Sequence, residues 1–118
     1  MRRVKAFSNG SFVAEADVAE NFFTRLRGLM GKSPIRRALW IVPCSDIHTF
    51  NMREDIDVVF LSRQSEVLRI IEAMPKNRTS GKVRGAHSVL ELPAHTLRSR
   101  NLLDISTIEF VREGHYGG

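Results

Sequence analysis

The stretch Ile56-Asp57-Val58-Val59-Phe60-Leu61 decides the fold, because a single charge interrupts an otherwise apolar run of branched and aromatic residues. Residues of these kinds are enriched in β-strands. A polar stretch follows at residues 62–65, and residues 67–71 then resume an apolar pattern. Two apolar runs joined by such a turn predict a β-hairpin.

Further strands are predicted on both sides of this hairpin. The dipeptide Asn9-Gly10 is the strongest short signal for a hairpin turn, and apolar residues flank it on either side. A short helix or turn is predicted over residues 94–102. The other apolar runs predict strands at residues 4–7, 11–14, 38–42, 88–92 and 105–111.

One main helix is predicted over residues 17–31. Asp17 can cap its start, with Glu20 three residues later, and Gly31 can close its end. Apolar residues recur there at spacings of three and four, which predicts a stripe that faces the core. The stripe consists of Val18, Phe22, Leu26, Leu29 and Met30.

The composition is that of one ordinary globular domain, with 118 residues, 42% hydrophobic content and 26% charged content. A chain of this length removes roughly two thirds of its unfolded surface from water, which is enough for one core. Short strands at regular intervals and one helix predict a mostly β fold with one main α-helix. We therefore expect an antiparallel β-sandwich or barrel-like single domain over residues 1–118.

The formal net charge of +5 raises the question of an acidic partner. The basic residues are scattered in short groups without the interleaved aromatic residues that stack on bases, so nucleic-acid binding is not predicted. The long polar loop between residues 74 and 85 is the best candidate for binding an anion. Its cations are Lys76, Arg78, Lys82 and Arg84.

The N-terminus is basic, but the apolar run of a signal peptide does not follow it. No stretch approaches the roughly 18 apolar residues of a membrane helix. We therefore expect a soluble, cytoplasmic protein without membrane insertion. Its single cysteine, Cys44, cannot form an internal disulfide.

Residues 43–52 carry the most specific chemistry, because Cys44, His48 and Met52 offer a thiolate, an imidazole and a thioether. This set suits copper or zinc, and His87 or His95 could complete the shell. Positions four apart in a strand lie about 13 Å from each other, so only a helix or a tight loop would bring these ligands together. The alternatives are that the three residues are structural, or that His48 lines a pocket for a different ligand.

A hydrolase-type enzyme is a weaker hypothesis. His48 and Asp57 could serve as base and orienting acid, with Cys44 or Thr49 as the nucleophile. These residues come from one short stretch without any sign of an oxyanion hole, and their spacing matches no known protease or hydrolase motif. The sequence therefore favours a protein that is not an enzyme.

Three polar or small residues in apolar surroundings call for a structural explanation. Asp57 needs a partner, since a buried carboxylate costs several kcal/mol unless it is paired or hydrogen-bonded. Arg27, Arg53 and backbone N–H groups are the candidates. Glu91 lies between two leucines and is expected on the solvent face of an alternating strand. Gly28 is expected to permit close packing rather than to bind phosphate.

Four blocks of sequence occur in a specific order: RLRGLM at residues 25–30, IHTFNM at 47–52, IDVVFL at 56–61 and VLEL at 89–92. This order resembles the prokaryotic domain of unknown function 192 family (DUF192) over about residues 16–111. The resemblance implies a β-rich, sandwich-like domain with one helix and no assigned reaction. The segment Pro-Cys-x-x-Ile-His-Thr at residues 43–49 is similar to one branch of the family, which makes His48, Met52 and Asp57 the positions to test.

The chain departs from the family pattern at three places. Asp55 stands where the family usually has proline, Pro93-Ala94-His95 replaces a turn with glycine, and Leu103-Asp104 replaces a Gly-Asp pair. Residues other than glycine rarely adopt a positive φ, so we expect the two loops that lack glycine to run differently.

The sequence as a whole predicts a small β-rich binding or accessory module, for which a protein partner is one option. Its pocket is expected near His48, Met52 and Asp57, with Arg27 as a further ligand-binding candidate. A copper- or zinc-binding protein that uses Cys44, His48 and Met52 is one alternative, and a hydrolase is the other.

Overall fold

The polypeptide forms nine regular elements over residues 2–112, which are the residues described by this computed structural model. In chain order they are β1 (Arg3–Ser8), β2 (Ser11–Ala19), α1 (Phe22–Arg27), β3 (Ala38–Ile41), β4 (Ile56–Leu61), β5 (Val67–Met74), β6 (Ser88–Pro93), α2 (Thr96–Ser99) and β7 (Glu109–Arg112). Neither of these helices is long and apolar enough to cross a lipid bilayer.

The seven strands within residues 2–112 form one mixed sheet in the order β5-β4-β6-β3-β2-β1-β7. Neighbouring strands are antiparallel except β2 and β3, which are parallel. An isolated bridge between Glu66 and Thr107 brings the two ends of the sheet together at one corner, although the sheet is not closed into a barrel. The mostly β single-domain fold predicted from the sequence is confirmed.

The two predicted hairpins are present. Strands β1 and β2 are joined by Asn9 and Gly10, whose φ angles of 49° and 82° are the positive values that a type I′ turn requires. Strands β4 and β5 pair antiparallel across the polar turn. The C-terminal strand is shorter than predicted and begins at Glu109, because residues 105–108 approach β5 instead of continuing β7.

The core lies on both sides of the sheet, and every residue of β4 is buried. One side holds a cluster that includes Val59, Leu61, Leu90 and Leu92. The other side holds a second cluster that includes Val58, Phe60, Val89 and Leu29, covered by the segments that connect α1 to β3 and β3 to β4. A strand covered on both sides has the continuous apolar sequence seen at residues 56–61.

The predicted extent of the main helix, residues 17–31, is wrong. Strand β2 continues to Ala19, where its last four residues pair with β3, and the helix covers only Phe22–Arg27. The apolar residues whose spacing predicted a long helix thus belong to one strand, one helix and a turn. Hydrogen bonding between β2 and β3 overrides the local helical pattern because both strands lie inside the sheet.

The buried carboxylate of Asp57 is satisfied by backbone N–H groups, one of the partners expected from the sequence. Its Oδ1 accepts hydrogen bonds from Ala73 N at 2.9 Å and His95 N at 3.1 Å, and its Oδ2 accepts one from Leu97 N at 3.0 Å. Neither Arg27 nor Arg53 pairs with it. Asp57 therefore ties β4 to the bulge at Ala73 and to the first turn of α2.

His95 adopts a left-handed conformation with φ of 70°, although it is not glycine. The sequence led us to expect that the loop after β6, which lacks glycine, runs differently from the family pattern, and this stays a prediction. His95 takes the positive φ itself, and its N–H group donates to Asp57. The hydrogen bond to a buried carboxylate offsets the roughly 1–2 kcal/mol that a left-handed residue costs.

We expect the substitution Asp57→Ala to lower the free energy of unfolding by roughly 3 kcal/mol or more, because three buried N–H groups would lose their acceptor. Urea unfolding followed by circular dichroism measures this. The control is Asp55→Ala, whose exposed side chain accepts one hydrogen bond from Lys76 N at 3.2 Å, and which should cost less than about 1 kcal/mol. Equal losses in the two variants would contradict the structural role of Asp57.

Candidate functional site

Helix α1 is short and is held at both ends. Asn21 caps its start, where the side-chain Oδ1 accepts a hydrogen bond from Thr24 N at 2.9 Å. Gly28 ends it with φ of 53° and ψ of −132°, and its N–H donates to Thr24 O at 3.1 Å. A six-residue helix is not stable by itself in water, so its caps and the buried neighbour Leu29 position it.

No residue of α1 is buried. Phe22, Phe23 and Leu26 are 63%, 78% and 56% exposed, and the rings of the two phenylalanines pack edge to face with centroids 5.5 Å apart. The prediction that Phe22 and Leu26 face the core is therefore wrong. The core position next to the helix is taken by Leu29, which belongs to the turn after it.

A cavity of about 440 Å³ opens beside this helix, between α1 and two loops. We call it the α1 groove, and its walls are Phe22, Arg25, Leu26, Pro43, Cys44, Ser45, Asp46, Ala86 and His87. The two loops are joined by a backbone hydrogen bond from Cys44 N to His87 O at 2.9 Å. The groove thus combines an apolar wall from α1 with a polar wall from the loops.

Arg25 places a cation in the α1 groove. Its Nη1 donates to Pro43 O at 3.3 Å, which fixes the side chain across the opening. Its Nε is buried and has no hydrogen-bond partner within residues 2–112. A buried N–H group without an acceptor is costly, so Arg25 adds an unsatisfied polar atom beside the groove.

Cys44 is half-buried in the groove wall, and its thiol donates to Asp46 O at 3.1 Å. Burial raises the pKa of the thiol to about 11, and the nearby carboxylates of Glu91 and Asp46 act in the same direction. The thiolate is the nucleophile and the metal ligand, so a thiol that stays protonated at neutral pH is weakly suited to either role.

Glu91 is buried, with 3% of its surface exposed, and the prediction that it faces solvent is wrong. The segment that connects α1 to the sheet covers this side of β6, so neither side of the strand is open to water. Glu91 Oε1 has no hydrogen-bond partner within residues 2–112, and it lies 3.3 Å from the position that a Cβ atom on Gly28 would occupy. Gly28 therefore permits close packing, as expected. Burial raises the pKa of Glu91 to about 8.

The three soft-metal candidates of the sequence have different surroundings in the structure. Cys44 lines the α1 groove, while Met52 is buried in the apolar cluster on the same side of the sheet. His48 is half-buried, its Nδ1 accepts a hydrogen bond from Phe50 N at 3.2 Å, and its ring stacks on Phe50. Within residues 2–112, no three His, Cys, Asp or Glu side chains lie close enough together to hold a metal ion.

Thr49, the other candidate nucleophile, is buried and its hydroxyl is already engaged. Thr49 Oγ1 donates to Pro75 O at 2.6 Å and accepts from Arg78 N at 2.8 Å. These bonds fix the polar loop against residues 45–49. The four cations of this loop are exposed, and none forms an ion pair within the described part of the chain; they are Lys76, Arg78, Lys82 and Arg84. Anion binding by the loop stays a prediction.

Two more sequence candidates lie apart from the groove. Both oxygens of Asp57 are occupied by backbone N–H groups, and Arg27 is exposed at the end of α1 without an ion pair among the described residues. Their proposed roles in ligand binding stay predictions. His95 lies beside Asp57 at the start of α2, whereas His87 lines the groove.

The exposed phenylalanines of α1 are not among the site residues predicted from the sequence. The signal that could have found them is the pair of caps, because Asn21 and Gly28 enclose a helix too short to bury a stripe. Phe22 and Phe23 are adjacent in sequence, and adjacent helical residues point in different directions. The two side chains of such a pair therefore project about 100° apart around the helix axis.

Comparison with known proteins gives a consistent family but no activity. The sequence model of DUF192, an uncharacterized ACR family, matches residues 4–110. A UPF0127 protein of Pyrococcus horikoshii is 34% identical over 77 residues, which cover 61% of this chain and 67% of the relative. A UPF0127 protein of Thermococcus sibiricus is 37% identical over 82 residues, which cover 64% of this chain and 53% of the relative. The matched part thus spans about half to two thirds of these relatives.

Two solved structures have the same fold. One is a candidate transcription regulator of Sinorhizobium meliloti, with a TM-score of 0.76, 16% identity and coverage of 92% of each chain. The other is a protein of unknown function from Novosphingobium aromaticivorans, with a TM-score of 0.74, 13% identity and coverage of 91% of this chain and 83% of the other. At these identities the likeness shows the fold alone.

We expect folding stability to fall as the pH rises from about 4.5 to 8, because the pKa of Glu91 is about 8 in the folded chain and 4.5 ordinarily. In this range the folded chain holds more protons than the unfolded chain, and stability then decreases with pH. Between pH 4.5 and 7 the loss is on the order of 3 kcal/mol. Urea unfolding at pH 5, 6 and 7 measures the slope.

The variant Glu91→Gln should remove this part of the pH dependence, because glutamine stays uncharged. Glu109→Gln, at an exposed position, should keep the slope of the parent protein. If Glu91→Gln and the parent lose stability in parallel between pH 5 and 7, Glu91 does not titrate as its burial requires.

We expect Cys44 to react slowly with iodoacetamide in the folded protein. At a pKa of about 11, its thiolate fraction at pH 7 is on the order of 10⁻⁴, against a few per cent for a free cysteine. The rate should rise about tenfold per pH unit from pH 7 to 9.5. Mass spectrometry of the intact chain reports on this cysteine alone, since the sequence contains one. The urea-unfolded chain is the control, and a folded-state rate that levels off below pH 9 would contradict the raised pKa.

Proposed function

The chain belongs to the DUF192 family, and from its geometry we propose that it is a small β-rich binding module whose α1 groove takes an apolar, acidic segment of a partner protein. One observation carries this proposal: α1 buries none of its residues and presents three large apolar side chains to solvent. Surface helices normally bury one apolar face. A helix that exposes such side chains beside a groove is typical of an interaction site.

The apolar side chains can supply binding free energy. Fully burying a phenylalanine or leucine side chain contributes roughly 1.5–3 kcal/mol. Phe22, Phe23 and Leu26 are each more than half exposed, so a partner that covers them could gain about half of that value from each. The rest of the groove is concave, which favours one inserted anchor residue over a flat contact.

The positive charge of α1 favours an acidic partner. Arg25 and Arg27 are the charged residues of α1, and the helix has no acidic residue in its first turn. Arg27 is free of ion pairs among the described residues, and the chain as a whole carries +5. Acidic residues beside the apolar anchor would complement this surface and accelerate association.

We place binding at α1 rather than near His48, Met52 and Asp57. Met52 is buried, and the oxygens of Asp57 already accept three hydrogen bonds. The copper or zinc site and the hydrolase have less support, because Cys44 carries a raised pKa and Thr49 is engaged by the backbone. The α1 groove, in contrast, has unused apolar surface.

The test is fluorescence anisotropy with three labelled twelve-residue peptides. The first has a central Phe-Leu pair flanked by Asp and Glu, the second replaces the acidic residues with Lys, and the third replaces the apolar pair with Ser. We expect the first peptide to bind at least tenfold more tightly than the other two, which corresponds to about 1.4 kcal/mol. Added salt should weaken it.

The variant Phe22→Ser/Phe23→Ser should weaken binding of the first peptide at least tenfold. The matched control is Phe12→Ser, which changes a phenylalanine that is 41% exposed and lies outside the groove. Binding that is equal for all three peptides, or that is unchanged in the double variant, would overturn the proposal. Because the rings of Phe22 and Phe23 are exposed, the double variant should keep the parent melting temperature.

A further inference from the structure

A second and larger cavity lies at the corner of the sheet where residues 105–108 approach β5. Its volume is about 980 Å³, at the upper end of the roughly 300–1,000 Å³ typical of ligand clefts. We call it the Trp40 cavity, and its main lining residues are Phe7, Trp40, Gln64, Thr107, Glu109 and Phe110. Mouths of barrel-like sheets are common ligand sites.

The Trp40 cavity is independent of the α1 groove. Trp40 and Phe110 pack against the core cluster that contains Leu90, whereas Cys44 of the groove packs against the cluster that contains Val89. Successive residues of a strand point to opposite sides of the sheet. The two sites therefore lie on different sides of the sheet, and neither lining shares a residue with the other.

The cavity has an aromatic wall. The rings of Trp40 and Phe110 stack with centroids 3.7 Å apart and an interplanar angle of 10°. Both residues are only half-buried, so the stacked pair remains accessible from the cavity. The face of an aromatic ring carries partial negative charge and attracts the weakly positive hydrogens of C–H groups.

Trp40 also carries a hydrogen-bond donor without a partner. Its indole Nε1 is buried and has no acceptor within residues 2–112. Because this atom is closed off from the cavity, the accessible ring surface and the polar groups of the rim carry the contacts with a ligand.

The rim of the cavity is polar but almost uncharged. Asn9, Gln64 and Thr107 line it, and within the described chain their side chains form no hydrogen bond. Among the described residues, Glu109 is the single charged residue of the lining, and none of them contributes a cation. Amide and hydroxyl groups donate and accept hydrogen bonds, whereas a negatively charged ligand would meet a carboxylate without any compensating cation.

We infer that the Trp40 cavity binds an uncharged, polyhydroxylated ligand, namely a saccharide unit. A pyranose ring has an apolar face of C–H groups that suits an aromatic wall, and its hydroxyls match a rim of amides and hydroxyls. Its hydroxyls donate to the Glu109 carboxylate and exchange hydrogen bonds with the side chains of Gln64 and Thr107. Phosphorylated and acidic sugars are disfavoured, because the lining formed by the described residues holds a carboxylate and no cation.

Trp40 is the only tryptophan in the chain, so its fluorescence reports on this cavity alone. The experiment titrates the full chain with neutral mono- and oligosaccharides, with glucuronic acid as the acidic comparator and adenosine as the aromatic comparator. We expect at least one neutral saccharide to change the Trp40 emission saturably, with glucuronic acid at least fivefold weaker. Tighter binding of an oligosaccharide than of its monosaccharide would identify a glycan chain, rather than a free sugar, as the source of the ligand.

The variant Gln64→Ala/Thr107→Ala should weaken saccharide binding at least fivefold. Both side chains are exposed, so the variant should keep the parent melting temperature. The control is Phe22→Ser/Phe23→Ser, which alters the α1 groove and should leave saccharide binding unchanged. The inference is overturned if no saccharide gives a saturable response, if adenosine binds more tightly than every saccharide, or if the Gln64/Thr107 variant binds as the parent does.

Discussion

The buried carboxylate of Asp57 is the interaction on which the rest of this fold depends. It lies inside β4 and gathers N–H groups from the β5 bulge and from the first turn of α2. A carboxylate in a strand that is covered on both sides is tolerated only when it is fully hydrogen-bonded. The bulge at Ala73 and the left-handed conformation of His95 direct the backbone N–H groups that form those bonds. One side chain thus fixes the backbone of two loops.

Burial of both sides of the sheet has a second consequence. Glu91 is enclosed when the segment after α1 covers β6, and Gly28 fits against it because a side chain there would crowd the carboxylate. Covering this side requires Leu29 to enter the core, which leaves the preceding helix outside. The exposed phenylalanines of α1 are thus a result of how the chain closes over β6, and the α1 groove forms at that closure.

The candidate sites were only partly predictable from the sequence. Cys44 lines the α1 groove, and Asp57 is hydrogen-bonded to backbone N–H groups, as its apolar surroundings required. The spacing of Cys44, His48 and Met52 could not decide whether they converge, since that depends on a loop fixed by distant residues of the polar loop. The Trp40 cavity combines residues from four separate parts of the chain, which no local pattern reveals.

The sequence by itself determined both hairpins and the approximate position of each strand, though not the full extent of β2 or β7, because apolar runs and turn residues such as Asn9-Gly10 act through neighbours in the chain. It also determined that Asp57 must be satisfied. Only the tertiary structure decided that β2 and β3 pair in parallel, that the long helical pattern breaks into a strand and a short helix, and that Glu91 is buried. These outcomes depend on which segments cover the sheet, and that choice is made by contacts between residues far apart in sequence.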